Sequence, residues 1–276
     1  MSEKYGRIEE FTYILPSAFA DQLVVERGYF YVPPYCSNNV RRITYFLLGA
    51  GCDIGKFVCE GGSVEDFHIK NLLDQAVEDA YIPNDVIVCF LSHLEGSPIE
   101  EGYSKKEEVL MARNFAKHFV GWILPRVENK VLPMKLPDFR TDREGRILAG
   151  FSFGGGIVLS MIKEAIHTFR NFLVLSAYHL EKIGDPSANI KRILECEFKA
   201  LERLDIADDV KLIGYVGEFD IAKKEMRYEF EVIKQMRVFH EDNIDLFEIS
   251  QGTHDYFCAS QYLISGLHQI YVETQP

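Results

Sequence analysis

The segment Arg146-Ile-Leu-Ala-Gly-Phe-Ser-Phe-Gly-Gly-Gly156 holds the residue types best suited to chemistry. Ser152 sits between Gly150 and Gly154 in the pattern Gly-x-Ser-x-Gly, with a strand-like run before it and a helix-like run after it. A serine lifted clear of a sheet needs a sharp strand-to-helix turn, and side chains two residues to either side would collide with that turn. The turn places the next amide, that of Phe153, at a helix N-terminus, where N–H groups and the helix dipole favour a developing oxyanion. The chemistry this predicts is acyl transfer onto the Ser152 hydroxyl.

A hydroxyl needs a base to take its proton and an acid to orient that base, in the chain order serine, acid, histidine. His254 lies in Gln251-Gly-Thr-His-Asp-Tyr256, a short polar turn after the last strand-like run, and is the expected base. His118, His167 and His268 lie in helical patterns, His68 begins one, and His240 precedes the last strand, so none stands at a strand end. The acid is expected in Gly217-Glu-Phe-Asp220, where Asp220 is the first choice and Glu218 the alternative. Asp255 is disfavoured because neighbouring side chains rarely face each other. A second oxyanion N–H is expected from the glycine-rich loop of Tyr45-Phe-Leu-Leu-Gly-Ala-Gly-Cys52, at Ala50 or Gly51. Gly49, Gly51 and Gly55 miss the dinucleotide spacing by one residue, and Ala50 and Phe57 occupy positions a P-loop needs for glycine and Ser/Thr. In Ser92-His-Leu-Glu-Gly-Ser-Pro98, His93 and Glu95 are candidate substrate contacts, although a plain solvated loop is the simpler reading.

These residues must be carried by an alternation of strands and helices. Runs rich in β-branched and aromatic residues predict strands at Arg7–Leu15, Leu23–Val32, Arg42–Leu48, Asp85–Leu91, Arg146–Phe151, Phe172–Ser176, Val210–Val216 and Ile244–Ile249. Helical spacing appears in Phe67–Glu78, in Ala112 to Ile123 with Pro125 near the helix end, and in Gly154–His167, Ile190–Leu201, Ala222–Phe239 and Tyr256–Tyr271. Trp122 reads as a packing residue, and Lys130–Arg143 reads as a polar loop. The expected α/β fold is a mostly parallel central sheet with helices on both faces and antiparallel N-terminal edge strands, in one domain over residues 1–276.

The composition suits such a domain, with 276 residues, 47% of them hydrophobic. A net charge of −12 argues against nucleic acid or an anionic membrane as partner. Six scattered cysteines show no Cys-x-x-Cys spacing, no metal-ligand cluster stands out, and no metal or cofactor is expected. The N-terminal residues lack the apolar run of a signal peptide, and no run approaches the ~18 apolar residues of a membrane span, which leads to a cytoplasmic expectation.

Taken together, the motifs resemble the esterase D and feruloyl-esterase-like group of α/β-hydrolases, roughly from Leu23 to Tyr271. Tyr29-Phe-Tyr-Val-Pro-Pro34, Leu47-Leu-Gly-Ala-Gly51 and Leu72–Val88 are similar to that group's early strand, its Gly-rich loop and its next helix and strand. The best match is Thr141-Asp-Arg-Glu-Gly-Arg-Ile-Leu-Ala-Gly-Phe-Ser-Phe-Gly-Gly155, followed by Gly217–Asp220 and Gly252–His254. The resemblance implies the α/β-hydrolase fold and a triad of Ser152, Asp220 and His254, and it favours Asp220 over Glu218. Leu48 replaces the group's histidine and Phe153 its methionine; neither removes a backbone N–H, and Phe153 is expected to narrow the acyl pocket. The expected activity is hydrolysis of a small acyl ester, feruloyl-type and carbohydrate-linked esters among the candidates. The alternatives are acyl transfer on the same fold, or an inactive hydrolase-fold binding protein. Homo-oligomerisation is left open.

Overall fold

The structure is a computed structural model that describes residues 5–34, 36, 40–50, 54–60, 69–93, 104–202, 204 and 209–273. Eight strands form one sheet in the spatial order β1-β2-β4-β3-β5-β6-β7-β8. They are β1 (Arg7–Pro16), β2 (Leu23–Val32), β3 (Arg42–Leu47), β4 (Val86–Leu91), β5 (Arg146–Phe151), β6 (Asn171–Leu175), β7 (Lys211–Gly217) and β8 (Ile244–Ile249). The pairs β1–β2 and β2–β4 are antiparallel, and every pair from β4 to β8 is parallel.

The central strands are apolar on both faces because each face carries its own core. In β4, Ile87, Cys89 and Leu91 enter one core and Val86, Val88 and Phe90 the other, as a period of two requires. Helices cover both faces: α1 (Ile69–Glu78), α2 (Lys105–His118), α3 (Phe153–Ala165), α4 (Leu180–Gly184), α5 (Ile190–Leu201), α6 (Lys223–Ile233) and α7 (Tyr256–His268). Among the described residues no helix is long and apolar enough to cross a membrane.

One stretch departs from the sequence expectation. The helix does not end near Pro125, and the first part of the supposed loop Lys130–Arg143 is helical. From α2 the chain continues as π-helical Phe119–Ile123, α-helical Leu124–Arg126, π-helical Val127–Val131 and α-helical Leu132–Lys135. The Leu124 N–H bonds to the Phe119 carbonyl, and the Leu132 N–H to that of Val127, five residues back in each case. These wide turns come just before Pro125 and Pro133 and relieve the clash between the proline ring and the preceding turn that would stop an α-helix. Tertiary contacts then hold the extension. Glu128 takes two 2.7 Å bonds from Arg146 at the start of β5 and one of 2.8 Å from the Tyr45 hydroxyl. Trp122 packs here as expected, and its indole N–H donates to the Ile14 carbonyl at 2.8 Å.

Candidate active site

β5 delivers Ser152 to the C-terminal rim of the parallel strands, and α3 begins at the next residue. Ser152 has φ 54° and ψ −118°, left-handed for a residue with a side chain, so the turn is strained. The strain is held by bonds from the Ser152 N–H to the Leu175 carbonyl (2.9 Å) and from the Gly156 N–H to the Ser152 carbonyl (3.0 Å). The flanking glycines allow backbones to meet: a Cβ on Gly150 would lie 2.7 Å from the Gly155 nitrogen, and one on Gly154 2.6 Å from the Leu48 carbonyl oxygen.

The loop after β8 carries His254, and the loop after β7 carries Asp220. The two loops are stitched together by the Glu218 N–H to the Ile249 carbonyl and the Phe219 N–H to the Gly252 carbonyl, both 2.9 Å. His254 Nε2 lies 2.8 Å from Ser152 Oγ, and its Nδ1 lies 2.9 Å from Asp220 Oδ1. The Phe151 ring backs the imidazole at 4.9 Å. The Asp220 side chain is fully buried and His254 is 20% exposed, so the carboxylate is shielded while the imidazole reaches solvent. Burial alone would raise the Asp220 pKa. The bonds from His254 and from the Ala222 N–H, with the Ser176 hydroxyl nearby, outweigh it and hold the carboxyl below its ordinary value. This arrangement can pass a proton from Ser152 to His254 beside an anion that stays ionised.

Glu218 lies apart from the imidazole. It accepts bonds from the Ser250 hydroxyl (3.2 Å) and the Gln251 N–H (3.0 Å) and so braces the two loops. Asp255 caps α7 through the Cys258 N–H at 2.8 Å. The Phe153 amide opens α3 beside Ser152. The loop after β3 also comes close, since a Cβ on Gly49 would stand 3.3 Å from the Ser152 Cβ, which brings half-buried Ala50 to the same rim. Gly51 and Glu95 lie outside the described residues.

His93 is not on a plain surface loop. It is only 5% exposed, and its ring stacks on Phe153 at 5.3 Å and meets Phe115 edge-on. Burial pushes its pKa down to about 3, so the ring is neutral at ordinary pH, and among the described residues its Nε2 has no hydrogen-bond partner. The sequence showed a polar loop; that aromatic rings from α2 and α3 would enclose His93 depends on how those helices pack.

Two supporting residues escaped the sequence reading. Ser176, at the end of β6, has φ 48° and sits beside Asp220. Glu229, on α6, is fully buried and accepts the His179 N–H at 2.8 Å, while its other oxygen has no partner among the described residues. A strand-end position was the only signal for Ser176, and Glu229 looks like any exposed helix glutamate. Burial, reinforced by Glu225 and Glu197 and opposed by His179 and Lys182, pushes the Glu229 pKa up to about 8. The folded protein therefore holds this proton more tightly than the unfolded chain. That contribution to stability is complete below the ordinary glutamate value and is lost as pH rises through about 8. In urea unfolding, Glu229→Gln should gain on the wild type by on the order of a few kcal/mol between about pH 5 and pH 9. Equal pH dependence in both proteins would refute this.

No protein-family model matches the sequence, and no curated protein matches it. Solved structures do match. The feruloyl esterase module from Clostridium thermocellum, complexed with sinapinate, aligns at TM-score 0.73 and 18% identity, covering 99% of this chain and 90% of that one. A ferulic acid esterase from Anaeromyces mucronatus aligns at TM-score 0.67 and 15% identity, covering 96% and 90%. S-formylglutathione hydrolase from Staphylococcus aureus aligns at TM-score 0.62 and 14% identity, covering 98% and 99%. The chain therefore has the α/β-hydrolase fold, in the form that feruloyl-esterase-like structures share.

Proposed function

We propose that this protein is a serine esterase that cleaves a small carboxylic ester through an acyl-enzyme on Ser152. The observation that carries the reading is the unbroken line from Ser152 Oγ through His254 to Asp220, at 2.8 Å and 2.9 Å. Ser152 attacks the ester carbonyl as His254 Nε2 takes its proton. Asp220 holds the imidazole with its proton on Nδ1 and balances its positive charge. The amides of Phe153 and of the Ala50 loop receive the oxyanion. His254 then protonates the leaving alcohol, and a water attacks the acyl-enzyme to release the acid and restore the serine. The fold shared with feruloyl esterases and a formylthioester hydrolase supports esters or thioesters as the substrate class, hydroxycinnamoyl esters among them.

A fluorophosphonate probe tests this on the intact protein. Ser152 should be labelled stoichiometrically, with the adduct mass on its own peptide, and Ser152→Ala should take no label. A folded wild type that resists the probe would overturn the reading. A panel of hydroxycinnamoyl, short acyl and thioester substrates should give free acid as product; transfer to an added alcohol in place of hydrolysis would make the protein a transferase.

A further inference from the structure

Lys105 is the first residue of α2, directly after its cap Ser104. Its ammonium stands 4.9 Å from the centroid of the Phe153 ring, so it reaches the residue whose amide adjoins the nucleophile. The same ring is backed by His93, which is neutral at ordinary pH. Among the described residues, Lys105 is the cation that stands over the Phe153 ring. A cation in the first turn of a helix opposes the helix dipole, which favours acidic residues there, as Glu107 and Glu108 illustrate. Lys105 reaches Glu108 only loosely, at 3.5 Å, and its side chain stays 52% exposed. An ammonium has three donors, so capacity remains for an incoming anion.

The sheet order says which part of a substrate would meet it. His254 and Asp220 arrive from β8 and β7 on one side of β5 and β3 and β4 lie on the other, where α2 packs on the edge strand β1 as well as on α3 and α4. On the esterase reading, the leaving oxygen must face His254, which protonates it. The acyl chain then runs away from His254, toward α2.

We propose that Lys105 selects acyl groups that carry a carboxylate at their far end, so that the preferred substrates are half-esters or half-thioesters of short dicarboxylic acids. The inference rests on the esterase reading for the direction of the acyl chain. Lys105 takes no part in bond making; it binds the distal carboxylate and lowers KM.

The test compares para-nitrophenyl hemiadipate with para-nitrophenyl hexanoate, which share a leaving group and chain length. The ratio of kcat/KM for the charged over the neutral ester should fall roughly three- to tenfold in Lys105→Gln, mainly through KM, and should be retained in Lys105→Arg. The wild-type ratio should shrink as salt is raised. A ratio unchanged by Lys105→Gln, or lost equally in Lys105→Arg, overturns the proposal while leaving the esterase reading intact. A second readout does not need turnover. Calorimetry of Ser152→Ala with monomethyl adipate should show binding that weakens when Lys105→Gln is added. If neither nitrophenyl ester is hydrolysed but this binding still depends on Lys105, the esterase reading fails and the anion site stands; binding indifferent to Lys105 rejects the site.

Discussion

Asp220→Asn should lower kcat on an aryl ester about 10⁴-fold with little change in KM. The expected size follows from the geometry. Asp220 Oδ1 lies 2.9 Å from His254 Nδ1 and holds the proton there, which leaves the Nε2 lone pair facing Ser152 Oγ at 2.8 Å. An asparagine can turn its amide N–H toward Nδ1, and the imidazole then carries its proton on Nε2, where it cannot act as base. It also removes the anion that supports the imidazolium. The variant keeps the size and shape of the side chain, but the Ala222 N–H and His254 Nδ1 share Oδ1 of Asp220, so an amide nitrogen turned toward the imidazole gives up the 2.7 Å Ala222 bond at a cost of about 1 kcal/mol, which the melt reads separately from the rate. Glu218→Gln is the control: Glu218 is exposed and braces loops, so its loss should change kcat by no more than about threefold. Steady-state kinetics with a thermal melt on each variant decide the matter. A loss under tenfold for Asp220→Asn, or a larger loss for Glu218→Gln, would remove Asp220 from the role. The Asp220 carboxyl is held below its ordinary value, so its support for the folded state is present above the unfolded carboxylate pKa. That support is lost only as pH falls through the lowered value. The acid-side loss of activity that it causes should therefore lie below the usual aspartate range.

Gly154→Ala should damage both stability and catalysis. A Cβ at this position would run into the carbonyl oxygen of Leu47 and would lie 2.6 Å from that of Leu48. Both are backbone atoms, so no side-chain rotation can relieve the overlap. The start of α3 must move away from the loop after β3, which separates the Phe153 amide from Ala50. Unfolding free energy should fall by about 3 kcal/mol or more. Activity of the folded fraction should fall at least ~10²-fold, the scale of losing an oxyanion donor. Gly121→Ala provides the comparison, because a Cβ there meets nothing within 4 Å. That change should leave stability within about 1 kcal/mol of the wild type or raise it. A Gly154→Ala protein with native melting temperature and rate would show that the turn has slack the structure does not show.

The parts of the site that are local in the chain were legible without coordinates. Ser152 announced itself because a strand, a tight glycine turn and a helix all fall within a dozen residues, and His254 because a polar turn follows the last strand. The strands were equally plain, since burial on both faces leaves continuous apolar runs such as Val-Ile-Val-Cys-Phe-Leu in β4. The separation of Asp220 from Glu218 was not legible from the residues of that turn. Both lie in one turn, and which side chain points inward depends on the bonds that tie residues 218 and 219 to the loop at 249–252. The helix that runs on past Pro125 and Pro133 was hidden for a similar reason: proline's local veto is relieved by π turns and by Arg146 and Tyr45 gripping Glu128 from the sheet. His93 looked like a loop residue until aromatic rings from two helices closed around it. Short-range stereochemistry can be read from neighbours in sequence. Partners tens of residues away meet only once the sheet order and helix packing are set, and burial, charge state and proton path follow from those meetings.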